Sequence, residues 1–107
     1  MGRVGPVIMG HPVARGILES KGVCMSFRTS DRTTGRTHYR YKRTGSKVGD
    51  VTISKASDEI LPTDGELAEY RPLSGFSSVD EWRDAIEDVH GDLDTPGYVY
   101  RIEVVDN

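Results

Sequence analysis

The stretch SGFSSVDEWRDAI, residues 74–86, carries the clearest structural signal in this sequence, a helix with its own start signal. Ser78 stands three residues before Glu81, which is the spacing of a capping box. Apolar residues then recur at intervals of three and four, at Val79, Trp82, Ala85, Ile86 and Val89. Gly91 is suited to end the helix in a left-handed conformation. We therefore expect a helix over residues 79–90 whose apolar stripe packs against the rest of the fold.

Outward from this helix, most segments have the two-residue period of strands. VCMSFR, residues 23–28, alternates apolar and polar side chains and is expected to pair centrally in a sheet. A second helix is expected from Pro12, with Gly22 closing it. The expected strands, in chain order, cover residues 5–10, 23–28, 38–43, 51–55, 66–73 and 98–105.

This order of elements predicts an α+β fold, a small closed or nearly closed β-barrel of five or six mostly antiparallel strands with two flanking helices. The 107 residues fit one domain over 1–107. Cys24 is the single cysteine, and the three histidines show no metal-ligand spacing, so we expect no disulfide, metal or cofactor. The N-terminal residues resemble neither a signal peptide nor a membrane span, so a soluble, cytoplasmic protein is expected.

Charge is distributed unevenly along the chain. Residues 1–55 hold 11 Lys and Arg against 3 Asp and Glu, whereas residues 56–107 hold 3 against 14. The basic half concentrates its cations between Arg28 and Lys47, where Tyr39 and Tyr41 are interleaved. Cationic side chains gain affinity from phosphates by releasing counterions, and aromatic rings stack on bases. This composition indicates an RNA-contacting surface, with candidate residues Arg28, Arg36, Tyr39, Arg40, Tyr41 and Lys42.

Several segments together resemble the ASCH domains, a family within the PUA-like barrel superfamily. These segments are ILESKGVCMSFR (17–28), KVGDVTI (47–53), EYRPLSGFSSVDEWRDAI (69–86) and GYVYRIEVV (97–105). The resemblance implies a PUA-like barrel with a cleft beside the first helix. In the superfamily such a cleft binds RNA or modified nucleosides.

Some ASCH proteins hydrolyse the acyl amide of N4-acetylcytidine, and the resemblance therefore also suggests catalytic candidates. Arg28 matches the arginine of the family's Gly-x-Lys motif, whereas Lys21 and Gly22 stand in the reverse order. A hydrolase of this kind needs an activated lysine, thiol or hydroxyl and a carboxylate that relays a proton. The candidates for these roles are Lys21, Cys24, Ser26 and Glu69.

Three functions follow from these observations. The first is a noncatalytic module that binds RNA or a modified nucleoside. An N4-acetylcytidine-type amidohydrolase is the first alternative. The second alternative is a structural or assembly protein, cellular or viral, whose oppositely charged halves bind a protein partner or each other, and which lies in a virion if viral.

Overall fold

A computed structural model describes residues 5–9, 12–29, 32–42 and 44–105, and its centre is a curled sheet of five strands. The strand order across the sheet is β1, β3, β4, β5, β2; β1 and β3 run parallel, and the other neighbours run antiparallel. The strands are β1 Val7–Ile8, β2 Val23–Arg28, β3 Gly35–Arg40, β4 Gly49–Lys55 and β5 Tyr98–Val104. The sheet forms a half-barrel whose edges are β1 and β2. An α+β fold with five mostly antiparallel strands is thus confirmed.

Three helices accompany the sheet in the described part of the chain. They are α1 Pro12–Lys21, the single-turn α2 Asp64–Leu67 and α3 Val79–His90, and a 3-10 turn covers Arg71–Leu73. Gly22 adopts a φ of 78° directly after α1, as the sequence predicts. Helices α1 and α3 are the two flanking helices that the sequence predicts, and the short α2 is a third helix that the sequence analysis does not predict.

The bounds of α3 agree with the expected range 79–90. The Ser78 hydroxyl accepts a hydrogen bond from the Glu81 backbone N–H at 3.2 Å, and Gly91 closes the helix with a φ of 89°. The Glu81 carboxylate accepts a bond from the Ser77 hydroxyl at 2.7 Å and a longer one from the Ser77 N–H. The capping box is therefore shifted by one residue on its carboxylate side.

The sheet buries apolar side chains on both faces, because successive residues of a strand point to opposite sides. The cluster between one face and α1 consists of Val7, Met9, Leu18, Cys24, Tyr39, Val51, Ile53, Tyr100 and Ile102. The cluster between the opposite face and helices α2 and α3 consists of Phe27, Leu67, Trp82, Ile86 and Val99. Trp82 and Ile86 are 3% and 5% exposed, so the middle of the α3 stripe packs in the core as expected, whereas Val89 at its end is exposed.

The expected strand over residues 66–73 is wrong. The Thr63 hydroxyl accepts a bond from the Glu66 N–H and starts α2, and Pro72 lies in the 3-10 turn. Leu67 is fully buried and Tyr70 packs against the same cluster three residues later. An apolar spacing of three fits helical turns, whereas a half-buried strand requires a spacing of two.

The expected central position of β2 is also wrong. Within the described residues β2 bonds to β5 alone and forms an edge of the sheet. Its two faces are nevertheless covered, since Cys24 is buried on the α1 face and Phe27 on the α3 face. The first expected strand, 5–10, extends beyond β1 at both ends, and the third, 38–43, begins and ends three residues later than β3. Gly10 and Arg43 lie outside the described residues.

Candidate ligand-binding site

A crevice of about 490 Å³ opens beside the edge strand β2. Its walls come from β1, the start of α1, β2, the loop before α3 and α3 itself, and most of its lining is apolar. The lining residues are Ile8, Met9, Pro12, Ala14, Met25, Ser26, Phe27, Arg28, Phe76, Trp82, Ala85, Ile86, Val89 and His90. A volume of this size lies within the range of small-molecule pockets. We call this site the crevice.

The walls of the crevice are positioned by local features of the sequence. Ala85 and Val89 lie one helical turn apart on α3, as do Trp82 and Ile86, so all four belong to one side of the helix. Gly75 has a φ of 91°, and a Cβ at this position would lie 2.6 Å from the Val13 carbonyl oxygen of α1. This close approach of the loop to α1 sets Phe76 in the crevice wall.

A second, smaller pocket of about 410 Å³ adjoins the crevice and shares Ile8 and Arg28 with it. Its lining consists of Pro6, Ile8, Arg28, Arg32 and Arg40. The parallel pairing of β1 with β3 sets Ile8 opposite Arg40, while Arg28 arrives from the other edge of the sheet. We call this site the arginine pocket. It brings together three cations of the basic segment, from β2, from β3 and from the segment between them.

The cations of the arginine pocket are partly withdrawn from water. The Arg28 Nε donates to the Ser26 hydroxyl at 3.2 Å, and the Arg32 backbone N–H donates to the Tyr100 hydroxyl at 2.9 Å. Burial lowers the pKa of Arg28, and repulsion from Arg32 lowers it further. Burial likewise lowers the pKa of Arg32. Both groups stay charged at neutral pH, because an arginine begins from a pKa above 12.

Arg32 has an unusual hydrogen-bond balance. One terminal nitrogen donates to the Gly5 carbonyl oxygen at 2.7 Å. The Nε of the same guanidinium is buried and has no hydrogen-bond partner. Among the described residues, no carboxylate lies within ion-pair distance of Arg28 or Arg32. Arg28 and Arg32 therefore bring positive charge to the pocket that no carboxylate among the described residues pairs with.

The six candidate RNA-binding residues occupy different environments. Arg28 and Arg40 line the arginine pocket. Arg36 is exposed and lies 3.8 Å from a carboxylate oxygen of Asp50, and Lys42 is also exposed. The structure brings two of the six together, and it adds Arg32, which lies in the same basic segment of the sequence.

The two candidate tyrosines point towards α1. The Tyr39 ring is buried, and its hydroxyl donates to the Glu19 carboxylate at 3.1 Å. Tyr41 is exposed and donates to the same carboxylate at 2.6 Å, with the Arg15 guanidinium 4.5 Å from its ring centre. Neither tyrosine lines the crevice, whose aromatic side chains are Phe27, Phe76, Trp82 and His90.

The four catalytic candidates lie in separate places. Lys21 is exposed at the end of α1, and Glu69 is exposed between α2 and the 3-10 turn. Cys24 is fully buried in the α1 face of the sheet. Only Ser26 lines the crevice, and its hydroxyl accepts a bond from Arg28. These positions do not assemble the lysine, nucleophile and carboxylate of an amide hydrolase in the crevice.

The thiol of Cys24 gives a direct test of this part of the fold. Burial raises the pKa of Cys24 from 9.0 to about 12. We expect the folded protein at pH 8.5 to react with iodoacetamide at least about a hundredfold more slowly than the unfolded chain, because the thiolate is the reacting form. Comparing the rates by mass spectrometry with and without denaturant measures this difference; similar rates would contradict the buried position.

The same shift has a consequence for stability. The Cys24 thiol deprotonates more easily in the unfolded chain than in the folded protein, so high pH favours unfolding. The contribution of the buried thiol to the free energy of unfolding is therefore complete below pH 9.0 and is lost as the pH rises towards about 12.

Two further classes of site were searched for over residues 5–9, 12–29, 32–42 and 44–105. No cluster of three or more His, Cys, Asp or Glu side chains is arranged to hold a metal ion there. None of the helices in these ranges has the length and apolarity needed to cross a membrane.

Comparison with protein-family models, with curated proteins and with solved structures gives no match to this chain.

Proposed function

We propose that this protein is a noncatalytic module of the PUA-like, ASCH type that binds RNA or a modified nucleoside in the crevice. The observation that carries this proposal is the junction of the two sites at Ile8 and Arg28. An apolar, partly aromatic crevice suits the flat ring of a base, and an adjoining cluster of arginines suits the negative backbone of a nucleic acid.

The fold supports the same proposal at a coarser level. The sheet is curled into a half-barrel, which is compatible with a small barrel. The crevice lies beside the start of α1, where the resemblance to ASCH domains implies a ligand cleft. The separate positions of Lys21, Cys24, Ser26 and Glu69 favour binding over hydrolysis.

Binding to a fluorescently labelled single-stranded RNA tests this function. With two or three phosphate contacts, we expect affinity to fall roughly tenfold between 50 and 200 mM salt. Fluorescence anisotropy measures this dependence. Absence of binding even at 50 mM salt, to the RNA and to N4-acetylcytidine alike, would contradict the proposal.

A crevice-filling variant tests where the ligand binds. Ala85 lines the crevice, so Ala85→Leu inserts three carbon atoms into the proposed base site. We expect affinity to fall by about tenfold or more, which corresponds to 1.4 kcal/mol. Ala68→Leu is the matched control, because Ala68 is exposed at the end of α2 and lines neither site. Equal affinities of the two variants would place the ligand elsewhere.

Hydrolysis is tested with the same proteins. Incubation with N4-acetylcytidine should release no acetate above the uncatalysed rate. Enzyme-dependent release that Ser26→Ala removes would show that the protein is an amidohydrolase instead.

A further inference from the structure

The arginine pocket has the composition of an anion site that is built into the fold. Arg28 comes from β2, Arg40 from β3 and Arg32 from the segment between these strands. Surface arginines normally separate or pair with carboxylates, because like charges repel. Here Arg28 and Arg32 are close enough for each to oppose the charge of the other, and no described carboxylate pairs with either.

Arg32 lines the pocket and is held in place by hydrogen bonds of both its backbone and its side chain. Its backbone is fixed by the fully buried Tyr100, and one terminal nitrogen is fixed by the Gly5 carbonyl oxygen. Its Nε is buried and unpartnered. A buried donor without an acceptor is unfavourable, and an oxygen anion that accepts a hydrogen bond from this Nε would remove the penalty.

We infer that the arginine pocket binds the terminal phosphate of a nucleotide whose base occupies the crevice. The two sites share Ile8 and Arg28, so one ligand can reach both. The guanidinium groups of Arg28 and Arg32, with Arg40 beside them, match a phosphomonoester, with close to two negative charges at neutral pH, better than a phosphodiester with one. The ligand class is therefore a nucleoside monophosphate or an RNA end that carries a terminal phosphate. The nucleoside part of this inference rests on the proposed function.

Inorganic phosphate is the first probe, because it requires no base. We expect phosphate to raise the melting temperature of the full chain in a saturable manner, beyond the effect of sodium chloride at the same ionic strength. Arg32→Gln should abolish the saturable part. Arg101→Gln is the matched control, since Arg101 is exposed and lines neither site, and its response to phosphate should equal that of the wild type. Equal responses of wild type and Arg32→Gln would overturn the inference.

Paired nucleosides and nucleotides are the second probe. For the base that binds most tightly, calorimetry should show that the 5′- or the 3′-monophosphate binds about tenfold or more tightly than the nucleoside. The methyl ester of the preferred monophosphate, which carries one charge, should bind more weakly than the monophosphate. Equal affinity of nucleoside and nucleotide, or of monoester and diester, would overturn the assignment of a terminal phosphate. A short RNA with and without its terminal phosphate distinguishes an RNA end from a free nucleotide.

Variants separate this inference from the proposed function. Arg28→Gln provides a second test of the pocket if Arg32→Gln fails to fold, because the hydrogen bond of the Arg28 side chain is to Ser26 alone among the described residues. Ala85→Leu should lose nucleoside affinity and keep the response to inorganic phosphate. Phosphate binding that depends on Arg32, without binding of any nucleoside, would support the pocket and overturn the proposed function. Nucleoside binding that is indifferent to phosphorylation and to Arg32→Gln would overturn the inference and leave the proposed function intact.

Discussion

Trp82→Ala is expected to lower the free energy of unfolding by about 3–5 kcal/mol, the range observed when a buried aromatic side chain is removed. The indole is 3% exposed and packs in the same cluster as Phe27, Leu67 and Ile86. It also forms part of the crevice wall, so the same variant should weaken any ligand that binds there. Urea denaturation followed by circular dichroism measures the stability change.

Val89→Ala is the control for this variant. Val89 lies on the same helix but is 69% exposed, so its truncation should change stability by no more than about 0.5 kcal/mol. Similar losses from Val89→Ala and Trp82→Ala would mean that α3 does not dock on the sheet through its tryptophan.

Gly97→Ala is expected to cost about 3 kcal/mol, at the upper end of the cost of overpacking. A Cβ on Gly97 would overlap the Arg28 carbonyl oxygen and lie 2.7 Å from Cζ of Phe27. Gly97 also exchanges two backbone hydrogen bonds of 2.8 Å with Ile60, so it cannot move away without loosening that contact. The displaced Arg28 should in turn weaken phosphate binding.

The matched substitution is Gly16→Ala in the middle of α1. A Cβ at Gly16 meets nothing within 4 Å, and alanine is the better helix former by about 0.5–1 kcal/mol. Thermal unfolding should therefore show Gly16→Ala as more stable than wild type and Gly97→Ala as much less stable. A neutral result for Gly97→Ala would contradict the close packing of β5 against β2.

The elements that the sequence predicts well depend on short-range signals. The range of α3 follows from Ser78, its apolar stripe and Gly91, all within fifteen residues of one another. The end of β4 at Lys55 and the start of β5 at Tyr98 follow from local alternation, which a curled sheet preserves, whereas β4 begins two residues before the expected start and β5 ends one residue before the expected end. The predicted strand over residues 66–73 is wrong because α2 and the 3-10 turn cover only four and three residues, which is too few for a helical period to be recognised in the sequence.

The position of β2 could not be predicted for a different reason. The apolar content of a strand indicates how far its two faces are buried. Both faces of β2 are covered, one by α1 and the other by α3, so its sequence is as apolar as that of a central strand. It does not report how many strands are bonded to it.

The arginine pocket depends on contacts between distant parts of the chain. The basic segment of the sequence predicts Arg28 and Arg40 as candidate binding residues. Their convergence with Arg32 requires the parallel pairing of β1 with β3 and the curl of the sheet. No local spacing encodes either feature. The same segment also contains Arg36, which is exposed on β3, and Tyr39, which is buried on β3, and neither lines the pocket.

The place of β5 in the sheet has a consequence for biosynthesis. This strand is the last element in the chain, yet it lies between β4 and β2 and is hydrogen-bonded to both. A nascent chain therefore cannot complete the sheet until Tyr98–Val104 has left the ribosome, and β2 waits for its partner through the synthesis of some seventy residues. Pairings this distant in sequence slow folding, so we expect recruitment of β5 to limit the rate at which the sheet is completed.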